Sequence, residues 1–268
     1  MTRDSQAFVF SIALEGFERK FAGCIKTQIR YCRKYDYRYL LVKDAPYKLY
    51  PNEAAWLKVP LLLAALAAGY DWVAFLDADC EVRSHTPEFV QYLSGLAQNQ
   101  SIFMARGFSG RINSGVIFVK NQPEPIDFLN TILKHADQEI LDPADAAAYE
   151  NGHFIHWGKK KQSIHLLEHG LWNNNSRVDA GSYIQHYSRG KTRDNYLESR
   201  SSMITRWIDL LNDRLRVILR TDKSGNWQRT SEGNPIISQS MRKLLSFYTT
   251  KYPDFFADIY NLDIEAKS

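Results

Sequence analysis

The sequence predicts an α/β fold: a mostly parallel mixed sheet of Rossmann type, flanked by helices and carrying a helical extension at its C-terminus. Three observations predict it. Short strand patterns alternate with helical ones through the first 120 residues, as in a parallel sheet covered by helices. The 268 residues are enough for one sizeable core, and a 44% hydrophobic, 24% charged composition is that of an ordinary globular enzyme. An apolar run also ends abruptly in two carboxylates, Asp77 and Asp79, as expected where a central strand delivers ligand groups to the carboxyl edge of a sheet.

Taken in order, residues 8–13 read as a short buried strand, 17–35 as a helix with a Lys/Arg-decorated face, and 37–42 as a second strand. A strong Ala/Leu helix is expected over 52–68 despite Pro60, then a central strand over 72–76. Further helices are expected over 87–96, 125–135 and 143–148, and strands over 101–104 and 115–119. From 150 to 193 the pattern loosens into short strands and loops rich in His, Trp, Asn and Gly. Helices over 201–219 and 238–260 then flank a polar turn region at 221–235. The division expected is a catalytic unit over 1–195 and a C-terminal helical extension over 196–268 packed on it.

The net charge of +4 is mild, and neither a dense basic stripe nor a nucleic-acid reading motif is present, which argues against a nucleic-acid partner. Three cysteines without CxxC spacing suggest neither a disulfide framework nor a zinc knuckle. The polar residues 1–6 run straight into the first strand, and Gly69, Tyr70 and Asp71 split the apolar stretch 59–76, so a soluble cytoplasmic protein is expected.

The sharpest chemical signal is Leu76-Asp77-Ala78-Asp79. Residues two apart on an extended segment face the same side, roughly 6 to 7 Å apart along the chain, so both carboxylates can face one ion. Hard oxygen ligands of this kind suit Mg²⁺ or Mn²⁺, which share their remaining coordination with substrate phosphates. A second cluster, His186-Tyr187-Ser188-Arg189-Gly190-Lys191 with Arg193, offers an imidazole for a metal shell, a glycine for close backbone approach and cations for diphosphate oxygens. The third, Arg111-Ile112-Asn113-Ser114-Gly115-Val116, places polar side chains suited to sugar hydroxyls before an apolar strand.

The ordered set of Trp56 and Lys58 on a helix, Asp77-Ala78-Asp79, Asn113-Ser114-Gly115, and His186 with Gly190 and Arg193 resembles the GT-A-fold nucleotide-sugar glycosyltransferases. It is most similar to glycosyltransferase family 34, the galactosyl-, mannosyl- and xylosyltransferases, and more distantly to family 8. The resemblance covers about residues 6–193. It implies that Asp77, Asp79 and His186 hold the metal, Mn²⁺ or Mg²⁺. Ala78, Gly190, Lys191 and Arg193 would then meet the donor diphosphate, Asn113, Ser114 and Gly115 the donor sugar, and Lys58 the donor pocket. Ser11, Ala13, Leu14 and Arg30 would border the base and ribose of a nucleotide-sugar, most simply a UDP-sugar.

Glu150 and Asn151 fall where those families place a carboxylate or amide beside the anomeric carbon, although an acidic residue next to Gln is usual there. Glu150 would position the acceptor, stabilise the transition state, or simply terminate a helix. His153, Trp157, Trp172 and Asn173-Asn174-Asn175 would line the acceptor side, or the tryptophans would fill the core. Such families retain anomeric configuration, and the implied acceptor is a saccharide or lipid-linked saccharide, as in polysaccharide or lipopolysaccharide synthesis. The basic amphipathic stretch around Trp207–Arg220 would pack on its own domain or lie on an anionic membrane, the inner face if so. Two other classes also use such residues: a haloacid-dehalogenase-like, Mg²⁺-dependent phosphohydrolase, and a non-catalytic saccharide-binding module.

Overall fold

The computed structural model describes residues 6–96, 100–168, 170–200 and 236–259. Six strands form one sheet: β1 (Ala7–Ile12), β2 (Arg38–Val42), β3 (Trp72–Leu76), β5 (Ile102–Arg106), β6 (Ile112–Lys120) and β7 (Ile164–Leu167), in the order β2-β1-β3-β6-β5-β7. Only β6 runs against the others, so the sheet is mixed but mostly parallel, as the sequence predicted. Two short strands, β4 (Cys80–Val82) and β8 (Ile184–His186), pair separately as an antiparallel ribbon.

Alternation along the strands divides the core in two. Phe8, Phe10, Val73, Phe75, Ile117 and Val119 point to one face, while Val9, Trp72, Ala74, Leu76, Val116 and Phe118 point to the other. The first face is covered by α3 (Pro51–Trp56), α4 (Lys58–Ala67), α6 (Pro123–Lys134) and α9 (Ile237–Lys251). The second is covered by α2 (Ala22–Lys34), which follows the short α1 (Phe17–Lys20), and by α5 (Phe89–Ser94). Strand β3 is buried at every position, which is why its sequence is continuously apolar. α4 is buried from Lys58 to Leu66, an all-round apolar helix that fits only an interior position.

Several expected boundaries shift. The helix expected over 17–35 breaks at Phe21, whose φ of −111° and ψ of 25° separate α1 from α2. The helix expected over 52–68 breaks at Leu57, and Pro60 is accommodated because it lies in the first turn of α4, where its missing N–H has no partner to lose. Residues 143–148 form turns rather than a helix. The stretch expected to be irregular from 150 instead holds α7 (Asn151–Lys161), and α8 (Gly190–Arg200) follows β8. The expected helix over 201–219, its basic face and the polar turn after it lie outside the described residues. No helix among the described residues is long and apolar enough to cross a membrane.

α9 shares the same core as β1, α3 and α4, with Met241, Leu244, Leu245 and Tyr248 fully buried. Truncating Leu244 to Ala removes buried contacts that the sheet side cannot refill completely, a loss of about 2–5 kcal/mol. Urea unfolding of Leu244→Ala is expected to show that loss in a single transition shared by far-UV and tryptophan signals.

Candidate active site at the carboxyl edge of the sheet

The carboxyl ends of β1 and β3 open at one edge, and because β6 is antiparallel its amino end, Ile112 to Gly115, lies there too, with Leu76 opposite Val116. A cleft of about 570 Å³ occupies this edge. Of the residues singled out in the sequence, Leu14, Lys58, Asp77, Ala78, Asp79, Asn113, Ser114, Gly115, Glu150, Asn151, His186 and Arg193 line it.

The chain turns after β3 at Asp77, where the Asp77 amide donates to the Gly115 carbonyl at 2.8 Å, and re-emerges as β4. Pairing of Cys80 with His186 in the β4–β8 ribbon then sets the imidazole against both carboxylates. His186 Nε2 lies 3.2 Å from Asp79 Oδ1 and 3.6 Å from Asp77 Oδ2. Asp79 also accepts from Arg193 Nη2 at 2.8 Å, which pins the start of α8 to the site. Across the cleft Lys58 Nζ stands 2.7 Å from Glu150 Oε1, 3.5 Å from Asp77 Oδ1 and 3.3 Å from the Ser114 carbonyl. Ser114 Oγ donates to the same Glu150 oxygen at 2.7 Å, and the Ser114 amide to Asn151 Oδ1 at 2.8 Å.

Gly115 is required by this crowding. A Cβ there would come 2.8 Å from both Asp77 Oδ2 and His186 Nδ1, so any side chain would fill the space the acidic pair and the imidazole share.

Electrostatics follow from burial and pairing. Burial disfavours the Lys58 ammonium, but Asp77 and Glu150 outweigh it and hold the amine up at about 12. Burial raises the Asp77 carboxyl above its ordinary value, against the pull of Lys58. The Asp79 carboxyl is penalised by the same burial, yet His186 and Arg193 bring it below its ordinary value. Burial works against a charged His186, but Asp79 and Asp77 prevail and hold it above the ordinary imidazole value.

Two carboxylates and one imidazole around a common point are a donor set for a hard or borderline divalent cation such as Mn²⁺ or Mg²⁺. Cys80 Sγ lies within 4.8 Å of donor atoms of Asp79 and His186. Its thiol nevertheless donates to the Gly115 carbonyl at 3.6 Å, and burial, with Asp79 and Asp77, pushes its pKa well above the usual range. A protonated thiol is a poor ligand, so Asp77, one-third exposed to the cleft, is the better third partner for Asp79 and His186.

Two residues support the site in ways the sequence reading did not give: Asn173 was expected on the acceptor side, and Gln28 was not singled out. Asn173, fully buried, accepts from His186 Nδ1 at 2.8 Å, leaving Nε2 to face the carboxylates, and donates to Asn113 Oδ1 at 2.8 Å. Gln28, fully buried on α2, donates to the carbonyls of Asp77 and Cys80 at 3.0 and 2.8 Å and accepts from Ser11 Oγ and Tyr39 OH. Amides carry no spacing signal that would have marked either role.

Other singled-out residues stand apart from the cleft wall. Ser11 and Ala13 are fully buried beneath it, with Ser11 committed to Gln28, and Arg30 is exposed on α2. Gly190 opens α8 at φ 67° with Lys191 exposed in the first turn, and neither lines the cleft. His153 bonds the carbonyls of His135 and Gln138, and Trp157 stacks on His135 at 4.4 Å. Trp172 is fully buried in the core behind Phe118.

No family model and no curated protein sequence matches this chain. Solved structures do. A glycosyltransferase involved in the glycosylation of the major capsid of PBCV-1 superposes with a TM-score of 0.58 at 13% identity, covering 72% of this chain and 99% of that one. The glycosyltransferase GlyE of Streptococcus pneumoniae TIGR4 gives 0.47 at 16% identity over 80% of this chain and 64% of its own. Mouse xyloside xylosyltransferase 1 gives 0.45 at 9% identity, over 68% and 97%. The first of these carries the comparison, and at its identity it defines the fold: a GT-A-type sheet with flanking helices.

Asn173→Ala is expected to free the His186 ring and weaken Mn²⁺ binding about 10–100-fold, read by calorimetry, while the fold persists. Because Mn²⁺ needs an unprotonated His186 Nε2 and an ionised Asp77, both held above their ordinary values, cation and proton compete. Affinity is therefore expected to climb as pH rises through and beyond the ordinary imidazole range, with proton release measurable in buffers of differing ionisation heat. A flat affinity between about pH 6 and 8 would count against the site.

Proposed function

We propose that the chain is a metal-dependent glycosyltransferase that moves a hexose or pentose from a nucleotide-diphosphate sugar, a UDP-sugar in the simplest case, to a saccharide or glycolipid acceptor. The observation that carries this reading is the convergence of Asp77, Asp79 and His186 at the carboxyl edge of a GT-A-type sheet. Mn²⁺ or Mg²⁺ held there would supply Lewis-acid stabilisation of the departing diphosphate. The resemblance to families 34 and 8 rests on the ordered motifs of the sequence.

Lys58 and Arg193 fix the two carboxylates from opposite sides, so the donor meets preset charges. The family resemblance would give Gly190 and Lys191, at the start of α8 beside Arg193, further diphosphate oxygens, a role that would need α8 to approach the donor, since neither lines the cleft. Glu150 lines the cleft with Oε1 already bonded to Lys58 and Ser114, which suits it to stabilising an oxocarbenium-like centre rather than to removing a proton. With the buried carboxylates of the cleft thus engaged, the departing phosphate is the natural acceptor of the proton, which is a retaining path. A haloacid-dehalogenase-type site would have its motif on the first strand, whereas Asp77 ends the third in chain order.

In this reading residues 1–195 form the catalytic unit and 196–268 the extension. The acceptor would belong to polysaccharide or lipopolysaccharide synthesis, with the protein in the cytoplasm or at the inner membrane face. Nucleotide release from a panel of UDP- and GDP-sugars with Mn²⁺ tests the proposal. Asp79→Ala is expected to lower it about 100-fold or more, and full release by that variant would overturn the assignment.

A further inference from the structure

The cleft has two unlike walls. One is the sheet side, where Ile12 ends β1, Leu14 and Phe17 follow it, and Ala54 and Ala55 belong to α3. It includes the carboxyl ends of the neighbouring parallel strands β1 and β3, the edge at which open α/β sheets bind ligands. The other wall is made of three loops: the β5–β6 hairpin at 107–111, the segment 146–149 before α7, and 188–189 after β8.

This second wall carries two arginines and no acidic residue in those segments. The Arg189 guanidinium lies over the ring of Phe108, 4.7 Å from its centroid. Arg111 donates to the Ala146 carbonyl at 2.6 Å, which aims it without neutralising it. Among the described residues neither guanidinium is paired with a carboxylate, in contrast to Lys58 and Arg193 deeper in the cleft. The acids that flank the 146–149 segment are both buried and engaged elsewhere, Asp145 by His156 and Lys159 and Glu150 by Lys58 and Ser114.

Aromatic faces flank these cations. Phe108 and Tyr149 are each 51% exposed while lining the cleft. Tyr149 also has φ 57°, a left-handed conformation rare for a bulky side chain, immediately before Glu150. Exposed rings offer a surface for the apolar face of a sugar, and a free guanidinium fork takes a carboxylate or phosphate bidentately.

From this juxtaposition we infer that the loop wall is an acceptor subsite for a saccharide bearing an anionic group, a carboxylate or a phosphate, bound by Arg111 and Arg189 with its ring against Phe108 and Tyr149. This rests on the transferase reading for the word acceptor, but the binding site itself does not require it.

The test is titration of the full chain, saturated with UDP and Mn²⁺, with three probes: a glucuronate-terminated disaccharide, its neutral glucose counterpart, and a sugar phosphate. At least one anionic probe is expected to bind about tenfold or more tighter than the neutral one. Preference for the uronate or for the phosphate tells which anion the site takes. In Arg111→Gln/Arg189→Gln the anionic probes should fall to the level of the neutral probe, whose own affinity stays and so reports an intact wall. Equal binding of all probes, or a preference that survives both substitutions, overturns the inference. Nucleotide release by the unaltered protein is measured separately, so failure of the transferase reading and failure of the subsite are distinguishable.

Discussion

Everything at the site depends on one short strand pairing. β4 and β8 exchange only three residue pairs, yet the Cys80–His186 pair places an imidazole against carboxylates more than a hundred residues upstream. A slip of one residue would present Gln185 or Tyr187 instead and turn every side chain to the opposite face. The register is held from outside the pair. Gln185 Nε2 donates to the Asn174 carbonyl, which also accepts the His186 amide, and the Tyr187 amide closes onto the Asp79 carbonyl at 3.0 Å. On the other strand Gln28 grips the carbonyls at both ends of the Asp77–Cys80 turn. Neutral amides thus hold the charged groups in place without adding charge of their own.

That frame sets the electrostatics. Three carboxylates, Asp77, Asp79 and Glu150, face two cations, Lys58 and Arg193, and although burial works against a charged His186, Asp79 and Asp77 hold it above its ordinary value. Lys58 is what keeps the arrangement tolerable before any ligand arrives. It is buried and bonded to two acids and a carbonyl, and removing it would leave Asp77 and Glu150 as uncompensated charges in a desolvated cleft.

The inner strands β1 and β3 were legible because they are buried on both faces and read as nearly uninterrupted apolar runs, and the acidic pair because it ends the second of them. Helices without an apolar stripe were not legible. α7 presents Gly152, His153 and Gly158 on its buried side, and α8 is polar throughout, so neither carries the periodicity that marks a helix. The breaks at Phe21 and Leu57 were hidden for the opposite reason, since the apolar pattern runs through both. In the site, the paired Asp and the downstream His could be singled out from order alone, and the structure brings the three side chains together. The parts Asn173 and Gln28 play in holding them could not, because an amide is informative only once its partners are known.

The two walls of the cleft answer to different constraints. The sheet wall is rigid: β1, β3 and the start of β6 are fixed by registers that also build the core, so the groups they carry, Asp77, Ser114 and Gly115, cannot move without disturbing Phe75 or Val116 beside them. The loop wall hangs from the ends of β5, β8 and α7, and its Arg111, Phe108 and Arg189 contact one another or loop backbone rather than the core. Loops on such a frame can vary without cost to the fold. On the proposed transferase reading, the chemistry common to any donor would therefore belong to the first wall and the choice of acceptor to the second. Glu150 lies where they meet, tied through Lys58 and Ser114 to the sheet and by the chain through Tyr149 to the loop, so that a change in the loops leaves its carboxylate held from the sheet side.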